Sequence, residues 1–374
     1  MVYRIAIDAR KIRDFGIGTY IRNLVRELAS LDSDHRYFLI TGPQSVDALD
    51  DLPEHFEVVV HGAPVYSIRE MGSLSALLRR LKVDLYHATH YVLPIWLPRK
   101  TVVTIHDIIH LLYPEYLPNR LAFFYAERMI RRSLLRSDRV LTVSENTKSD
   151  LEKYFSIDGS NIEVVHNGIE DEFHVALDGP TLADRLASLG LEPGYFLFVG
   201  NPKPHKNLDN VVKAYAKAVE TEGLEQSLVC VGDRSSIESR VRQRAEQLGI
   251  DDRLILLGHV DQELLPAVYQ GASLFLYPTL YEGFGLPVVE AMASNVPVIT
   301  SNTSALKEIA AGYAHLVNPL DLEAMTAAIV QCVKDRDHRT SLRKVGKRRS
   351  QDFSWEVAAR RTLAVYEKCL GSDS

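Results

Sequence analysis

Short runs of β-branched and aromatic residues alternate with helix-period segments along the whole of this 374-residue chain, and that alternation limits its fold more than any other feature. In the first half the candidate strands fall at 3–8, 37–41, 56–60, 84–87, 101–105, 139–143 and 162–165. In the second they fall at 195–199, 227–231, 253–257, 273–277 and 296–300. Several are near-continuous apolar runs, as strands buried on both faces should be. The intervening stretches are amphipathic; the first begins after Gly18, with Tyr20, Ile21, Leu24, Val25 and Leu28 on one stripe. Strands alternating with helices imply βαβ units, parallel sheets and right-handed crossovers. Segment 167–194 is acidic, contains Gly168, Gly179 and Pro180 and has no clear strand, so its start reads as a linker. The expected organisation is an α/β chain of two parallel-sheet domains facing a cleft, 1–170 and 171–350. A closing helix over 351–374 follows, with Ser354 as its N-cap and Trp355, Ala359, Leu363, Tyr366 and Leu370 at helical spacing.

Composition narrows the function classes. No apolar run approaches the roughly 18 residues of a membrane span, and Arg4, Asp8 and Arg10 interrupt any secretory leader. Cys230, Cys332 and Cys369 lie far apart, which indicates neither a disulfide framework nor a thiolate metal site and fits a cytoplasmic protein. With 49 acids against 43 bases the net charge is −6, so a global attraction to nucleic acid is not expected. The basic run Lys344, Lys347, Arg348 and Arg349 reads as a solvated helix face.

The most informative motif is Tyr277-Pro-Thr-Leu-Tyr-Glu-Gly-Phe-Gly-Leu-Pro-Val-Val-Glu290. A buried strand runs into a glycine-bearing turn, and a helix follows with Pro287 in its first turn. Parallel sheets bind ligands at the carboxyl ends of their strands. There Gly283 and Gly285 let the backbone approach a ligand, and the amides of Phe284, Gly285 and Leu286 suit an anion or a sugar hydroxyl. Glu282 and Glu290 are placed to take hydroxyls at two ends of an extended ligand, although a solvated loop acid and a helix-surface acid fit the letters equally well. A second strand-to-helix loop, Val199-Gly-Asn-Pro-Lys-Pro-His-Lys-Asn207, gathers Lys203, His205 and Lys206, the kind of clamp a departing diphosphate requires. A third, Gly16-Ile-Gly-Thr-Tyr20, is no dinucleotide fingerprint, because position 21 is Ile21; it reads as a flexible glycine loop at a helix N-terminus.

His87, His90, His106 and His110 cluster in sequence with Asp107, but without metal-ligand spacing; His106 reads as a polar substrate contact or general acid or base, or else as a hydrogen-bonded core histidine. Asp32-Ser-Asp34 and Asp335-Arg-Asp337 carry the letters of the metal-binding turn of many sugar transferases. Neither follows a buried strand, so both read as surface acids and no metal or other cofactor is expected. Phe123, Phe124 and Tyr125 with Arg131, Arg132, Arg136 and Arg139 fit a core helix with a basic outer face, or peripheral contact with an anionic membrane.

Together these motifs resemble the retaining GT-B glycosyltransferases of family 4. The residues that carry the resemblance are Ile7-Asp-Ala-Arg10, Gly16 to Tyr20, Asp84 to His90, Thr104-Ile-His-Asp107, 137–144, Lys206-Asn207, Leu257-Gly258 with Val260, Glu282 to Glu290, and Phe353-Ser-Trp355. It spans the chain, and its Glu-Gly-Phe-Gly-Leu-Pro-x-x-Glu block is the most specific part. The resemblance implies two Rossmann-like domains, the first on the acceptor side and the second binding the nucleotide sugar, with the terminal helix crossing back onto the first. It implies His106, Lys206 and Glu282 as catalytic residues. Gly16, Gly18, Lys203, Val260, Gly283, Phe284, Gly285, Leu286 and Glu290 would bind the donor. Arg10, His90 and Asp107 would lie toward the acceptor. One departure stands out: many relatives have arginine where this chain has Asn201, so Lys203 or His205 is expected to supply the second positive charge. The segment around His90 and Pro94 looks most like bacterial mannosyl- or rhamnosyl-type transferases of surface polysaccharide assembly.

The expected activity is therefore metal-independent transfer of a hexose, GDP-mannose being the expected donor, to a saccharide or lipid-linked saccharide at or near the inner face of the membrane. A nucleotide-sugar epimerase and a non-catalytic partner subunit of the same architecture are the competing readings. The incomplete glycine fingerprint disfavours a dehydrogenase.

Overall fold

The computed structural model describes residues 2–63, 68–201, 203–232 and 234–371. The chain divides into two compact units, 1–168 with 354–374, and 169–353. The first is built on seven strands: β1 (Arg4–Asp8), β2 (Arg36–Thr41), β3 (Phe56–Val60), β4 (Leu85–Ala88), β5 (Lys100–Ile105), β6 (Arg139–Thr142) and β7 (Ile162–Val164). All pair in parallel, in the order β3-β2-β1-β4-β5-β6-β7. The apolar runs of β1, β4 and β5 are buried almost throughout, which is why they lack a strict alternation. The helix Phe15–Leu31 turns its stripe of Tyr20, Ile21, Leu24, Val25 and Leu28 into the core. Against it packs the last helix, Trp355–Gly371.

The second unit has six parallel strands: β8 (Phe196–Val199), β9 (Leu228–Val231), β10 (Leu254–Gly258), β11 (Leu274–Tyr277), β12 (Val298–Ser301) and β13 (His315–Val317). Their order is β10-β9-β8-β11-β12-β13. Twelve strands lie where the sequence places them. β13 was not foreseen: it has three residues, sits at the sheet edge and buries only Val317 fully. In each unit the strand order reverses once, between β1 and β4 and between β8 and β11. The carboxyl ends of the strands on either side of such a reversal leave a crevice in which α/β proteins hold ligands.

Two expectations need correcting. Gly16 and Gly18 form no loop; they lie within the first turn of the helix Phe15–Leu31. A Cβ on Gly18 would stand 2.3 Å from the carbonyl oxygen of Ile12, so this glycine is needed for close packing of backbone on backbone. Asp32 is not a surface acid. It is 6% exposed and accepts a hydrogen bond from the Tyr37 hydroxyl at 2.5 Å and from the Asp34 amide at 2.8 Å. Asp335 is exposed, and its carboxylate caps the helix Arg336–Ser350. In the basic run, Lys344 and Arg348 are exposed as expected, whereas Arg349 lies over Phe353 and donates to the Ile309 carbonyl.

Candidate active site

In the second unit the residues beside the strand-order reversal come together as one polar cluster. β8 leads into a tight turn, Pro204–Lys206, and β11 ends at Tyr277 before the glycine-bearing loop. The Lys206 ammonium donates to Glu282 Oε1 at 2.7 Å and to the Tyr277 hydroxyl at 2.9 Å. The Lys206 and Glu282 side chains are only 18% and 12% exposed. Burial disfavours the charged ammonium, but the Glu282 carboxylate and Tyr277 outweigh that and raise the Lys206 pKa above the usual lysine value. The lysine is therefore a permanent cation at the carboxyl edge of the sheet. Within the clamp that the sequence suggests, Lys206 already shares its charge with Glu282.

The turn itself is fixed from below. Asn207, in the left-handed region at φ 63°, donates through Nδ2 to the carbonyls of Pro278 and Pro319. The Glu282 amide donates to Ser304 Oγ. Gly285 adopts φ 101°, a conformation that calls for glycine, and a Cβ there would press on Leu306 Cδ2 at 2.4 Å. The helix Leu286–Ala293 then starts with Pro287 in its first turn and no side-chain cap, leaving backbone amides at a positive helix end. Phe284 is buried edge-on against Phe353, and Gly283 is buried in the same turn.

Glu290 lies one turn further along this helix. Its Oε2 accepts a hydrogen bond from Tyr269 at 2.6 Å. Burial dominates and lifts the carboxyl to about 7, with Glu170 adding to the rise and the Tyr269 hydroxyl opposing it. It is thus no helix-surface acid. Val260 is buried just beyond β10. Lys203 is exposed whereas His205 is buried, its carbonyl accepting from the Leu280 amide; Pro202, in the same motif, lies outside the described residues.

In the first unit the reversal between β1 and β4 collects a second polar set. Asp8, at the end of β1, holds Arg10 by two bonds, Nε to Oδ1 at 2.8 Å and Nη2 to Oδ2 at 2.6 Å. The Tyr86 hydroxyl donates to the same carboxylate. Burial raises the Asp8 carboxyl, but Arg10 outweighs it, with Tyr86 adding, so the group titrates below the usual aspartate range. Arg10 is accordingly a buried partner of Asp8. His106, just past β5, donates from Nε2 to the Thr89 carbonyl at 3.1 Å, which leaves Nδ1 as the accepting nitrogen. Burial lowers its pKa, so the ring is neutral at physiological pH. His90 is driven further down by burial, with Lys11 and His106 adding, and lies against Tyr91. Asp107 Oδ1 accepts from the Ile109 amide and thereby shapes the following turn. His87 is a core histidine: fully buried, it bonds Tyr366 Oη at 2.5 Å and Thr104 Oγ1 at 2.8 Å.

Tyr277, Tyr269 and Asp8 were missed as site residues in the sequence. Asp8 and Tyr277 each close a strand, and the signal available for them was a polar group ending an otherwise apolar run at the sheet's carboxyl edge; Tyr269, in the last turn of the helix Leu265–Gly271, gave no such signal.

Residues 16–173 match the family described as Glycosyltransferase Family 4, and residues 187–349 match glycosyl transferases group 1. The chain is 28% identical over 366 residues to O-antigen chain mannosyltransferase B of Escherichia coli, covering 94% of this chain and 96% of the relative. It is 30% identical over 257 residues to O-antigen chain mannosyltransferase RfbU of Salmonella typhimurium, covering 69% and 67%. The fold matches that of sucrose-phosphate synthase from Thermosynechococcus elongatus over 100% of both chains, with a TM-score of 0.81 at 22% identity.

Proposed function

Because the chain belongs to the group 1 glycosyltransferases of family 4, we propose that it moves a mannosyl residue from GDP-mannose to a saccharide or lipid-linked saccharide of a surface polysaccharide, retaining anomeric configuration without a metal ion. The observation that carries this reading is the buried Lys206–Glu282–Tyr277 cluster at the strand-order reversal of the second unit, beside an uncapped helix start. A permanent cation and oriented amides there suit a departing diphosphate. Likeness to a mannosyltransferase along almost the whole chain supports mannose as the hexose.

In this reading the bond from the anomeric carbon to the diphosphate oxygen breaks and its electron pair leaves with the diphosphate. Lys206 and the amides of Gly285 and Leu286 stabilise that charge. The acceptor oxygen bonds to the anomeric carbon on the same face, and its proton passes to the departing phosphate. Glu282 holds Lys206 and contacts the sugar, Glu290 takes ribose hydroxyls, and the neutral His106 offers Nδ1 to a hexose hydroxyl. Metal independence is supported by what the two Asp-x-Asp matches do: Asp32 is buried under Tyr37, and Asp335 caps a helix.

No helix among the described residues is long and apolar enough to cross a membrane. Leu121, Phe124 and Leu135 are nevertheless exposed on the helix Arg120–Arg136, beside Arg128, Arg131 and Arg136. That face supports peripheral contact with an anionic inner-membrane surface.

The test is a thermal-shift panel of GDP-, UDP-, ADP- and dTDP-sugars in EDTA, followed by GDP release with oligosaccharide acceptors. A ligand at 100 times its Kd adds about 2.7 kcal/mol, which gives a clear shift. Stabilisation by GDP-mannose and acceptor-dependent release are expected. Binding confined to UDP- or dTDP-sugars overturns the donor. Isomerised sugar without an acceptor indicates an epimerase, and binding without turnover a partner subunit.

A further inference from the structure

Outside this site, the second unit brings His315, Cys332 and His338 together. His315 opens β13, Cys332 lies in the last turn of the helix Leu322–Lys334, and His338 in the first turn of the helix Arg336–Ser350. One ligand atom from each lies within 4.8 Å of the others. His315 Nδ1 and His338 Nε2 face each other at 3.1 Å. The cysteine is buried and the two histidines are half-buried, so the thiol lies inside while the imidazoles retain access to water. Spacings of 17 and 6 residues match no metal motif, and the three cysteines count as isolated in the sequence. The fold makes the set by turning the chain back on itself after β13.

We propose that these three side chains form a binding site for a thiophilic transition-metal ion such as Zn(II). Two imidazoles and one thiolate are the donor types that zinc takes, and three protein ligands leave a fourth position for water. With Zn–N near 2.0–2.1 Å and Zn–S near 2.3 Å, a tetrahedral site separates its nitrogens by about 3.3 Å and nitrogen from sulfur by about 3.6 Å. The imidazole nitrogens, 3.1 Å apart, are already close to that spacing, and the sulfur, no more than 4.8 Å from a nitrogen of each ring, needs a shift of at most about 1.2 Å. The backbone around the site is held. Asp335 Oδ1 accepts from the His338 amide, and Arg339 Nη1 donates to the carbonyls of Cys332 and Val333.

Proton balance is simple. Without metal, one of the facing nitrogens carries the hydrogen of the His315–His338 bond. On binding, that proton moves to the other nitrogen of its own ring, both lone pairs turn to the ion, and the Cys332 proton goes to solvent. The ion ties the edge strand β13 to the junction of two helices and uses none of the residues of the Lys206–Glu282 cluster, so the proposal does not depend on the donor-site reading.

Untagged protein is stripped with a chelator, desalted and titrated with Co(II), then with Zn(II). Saturation at one equivalent, with a thiolate-to-Co(II) charge-transfer band and tetrahedral d–d absorption that Zn(II) bleaches, is expected. Cys332→Ser should abolish the charge-transfer band. His338→Gln, at a half-buried position, should weaken Co(II) binding by more than the roughly 10–100-fold lost with an outer-shell partner. Zn(II) should raise the Tm of the parent protein and not that of His338→Gln. A parent titration without a charge-transfer band, or one that His338→Gln leaves unchanged, overturns the proposal.

Discussion

Replacing Lys206 by Ala separates what this residue does for the fold from what it does for the reaction. The ammonium makes two contacts, 2.7 Å to Glu282 and 2.9 Å to Tyr277, in a place where both ion-pair members are less than a fifth exposed. Removing it leaves the Glu282 carboxylate without its cation. Breaking a fully buried pair costs about 3–5 kcal/mol, and the remaining access to water brings the figure here to about 2–3 kcal/mol. In a unit of this size that is a fall in Tm of about 4–12 °C. If the ammonium also stabilises the leaving diphosphate, kcat should fall by about 10²–10³, as when one preorganised donor is removed from a developing charge. The double variant Lys206→Met with Glu282→Gln removes both charges at nearly constant volume. It should recover stability to within about 1 kcal/mol of the parent while its turnover stays low. Thermal unfolding and initial-rate GDP release, read on the same samples, give both numbers. The double variant also lacks the Glu282 carboxylate, so the rate comparison rests on Lys206→Ala, which keeps it. A Lys206→Ala enzyme whose kcat/KM stays within about threefold of the parent would refute the charge-stabilising role.

Three further outcomes follow from the geometry. The Glu290 carboxyl is raised from 4.5 to about 7, so between those values the folded state holds a proton that the unfolded chain has lost; stability should fall as pH rises through this window, by about 3 kcal/mol, and Tm against pH should flatten in Glu290→Gln. For His87, burial depresses the pKa from 6.5 to about 3, so its contribution is complete above pH 6.5 and is lost as pH falls toward 3. His87→Phe should remove that acid sensitivity while costing about 2–4 kcal/mol at neutral pH, since the Tyr366 and Thr104 hydroxyls lose a buried partner; urea unfolding at pH 7 and pH 4 reads both, and an unchanged acid slope contradicts the assignment. A Cβ at Gly168 would stand 2.1 Å from the Trp355 amide nitrogen, a backbone atom that cannot swing away. Gly168→Ala should therefore loosen the last helix, detected as faster proteolysis near residue 355, and equal cleavage rates would contradict that.

The strands were legible because parallel strands buried on both faces write themselves as apolar runs, as at β1 and β8. β13 escaped because three edge residues leave no run to read. Gly16 and Gly18 misled because glycine usually marks a loop, while here close packing of Gly18 against Ile12 demands it inside a helix. Asp32 misled for a related reason: its partners Tyr37 and His35 arrive only once the chain has turned into β2. Within the site, the motif around Glu282 was readable from glycine placement and from the strand preceding it. The pairing of Lys206 with Glu282, 76 residues apart, and of Tyr269 with Glu290 across two helices is tertiary information. So is the convergence of His315, Cys332 and His338.

The first unit is assembled from two distant stretches of chain, and this fixes an order of events during synthesis. A ribosome delivers residues 1–168 first, yet the helix Trp355–Gly371 that covers Phe15–Leu31, and the Tyr366 hydroxyl that His87 requires, are made only after the whole of 169–353. Nascent domains generally mature from the N-terminus onward. Here the second unit, continuous in sequence, is free to reach its final state while the first still waits with an apolar flank uncovered. Chaperone dependence, sensitivity to premature termination and aggregation of nascent chains should all concentrate on the half of the protein that is translated earliest.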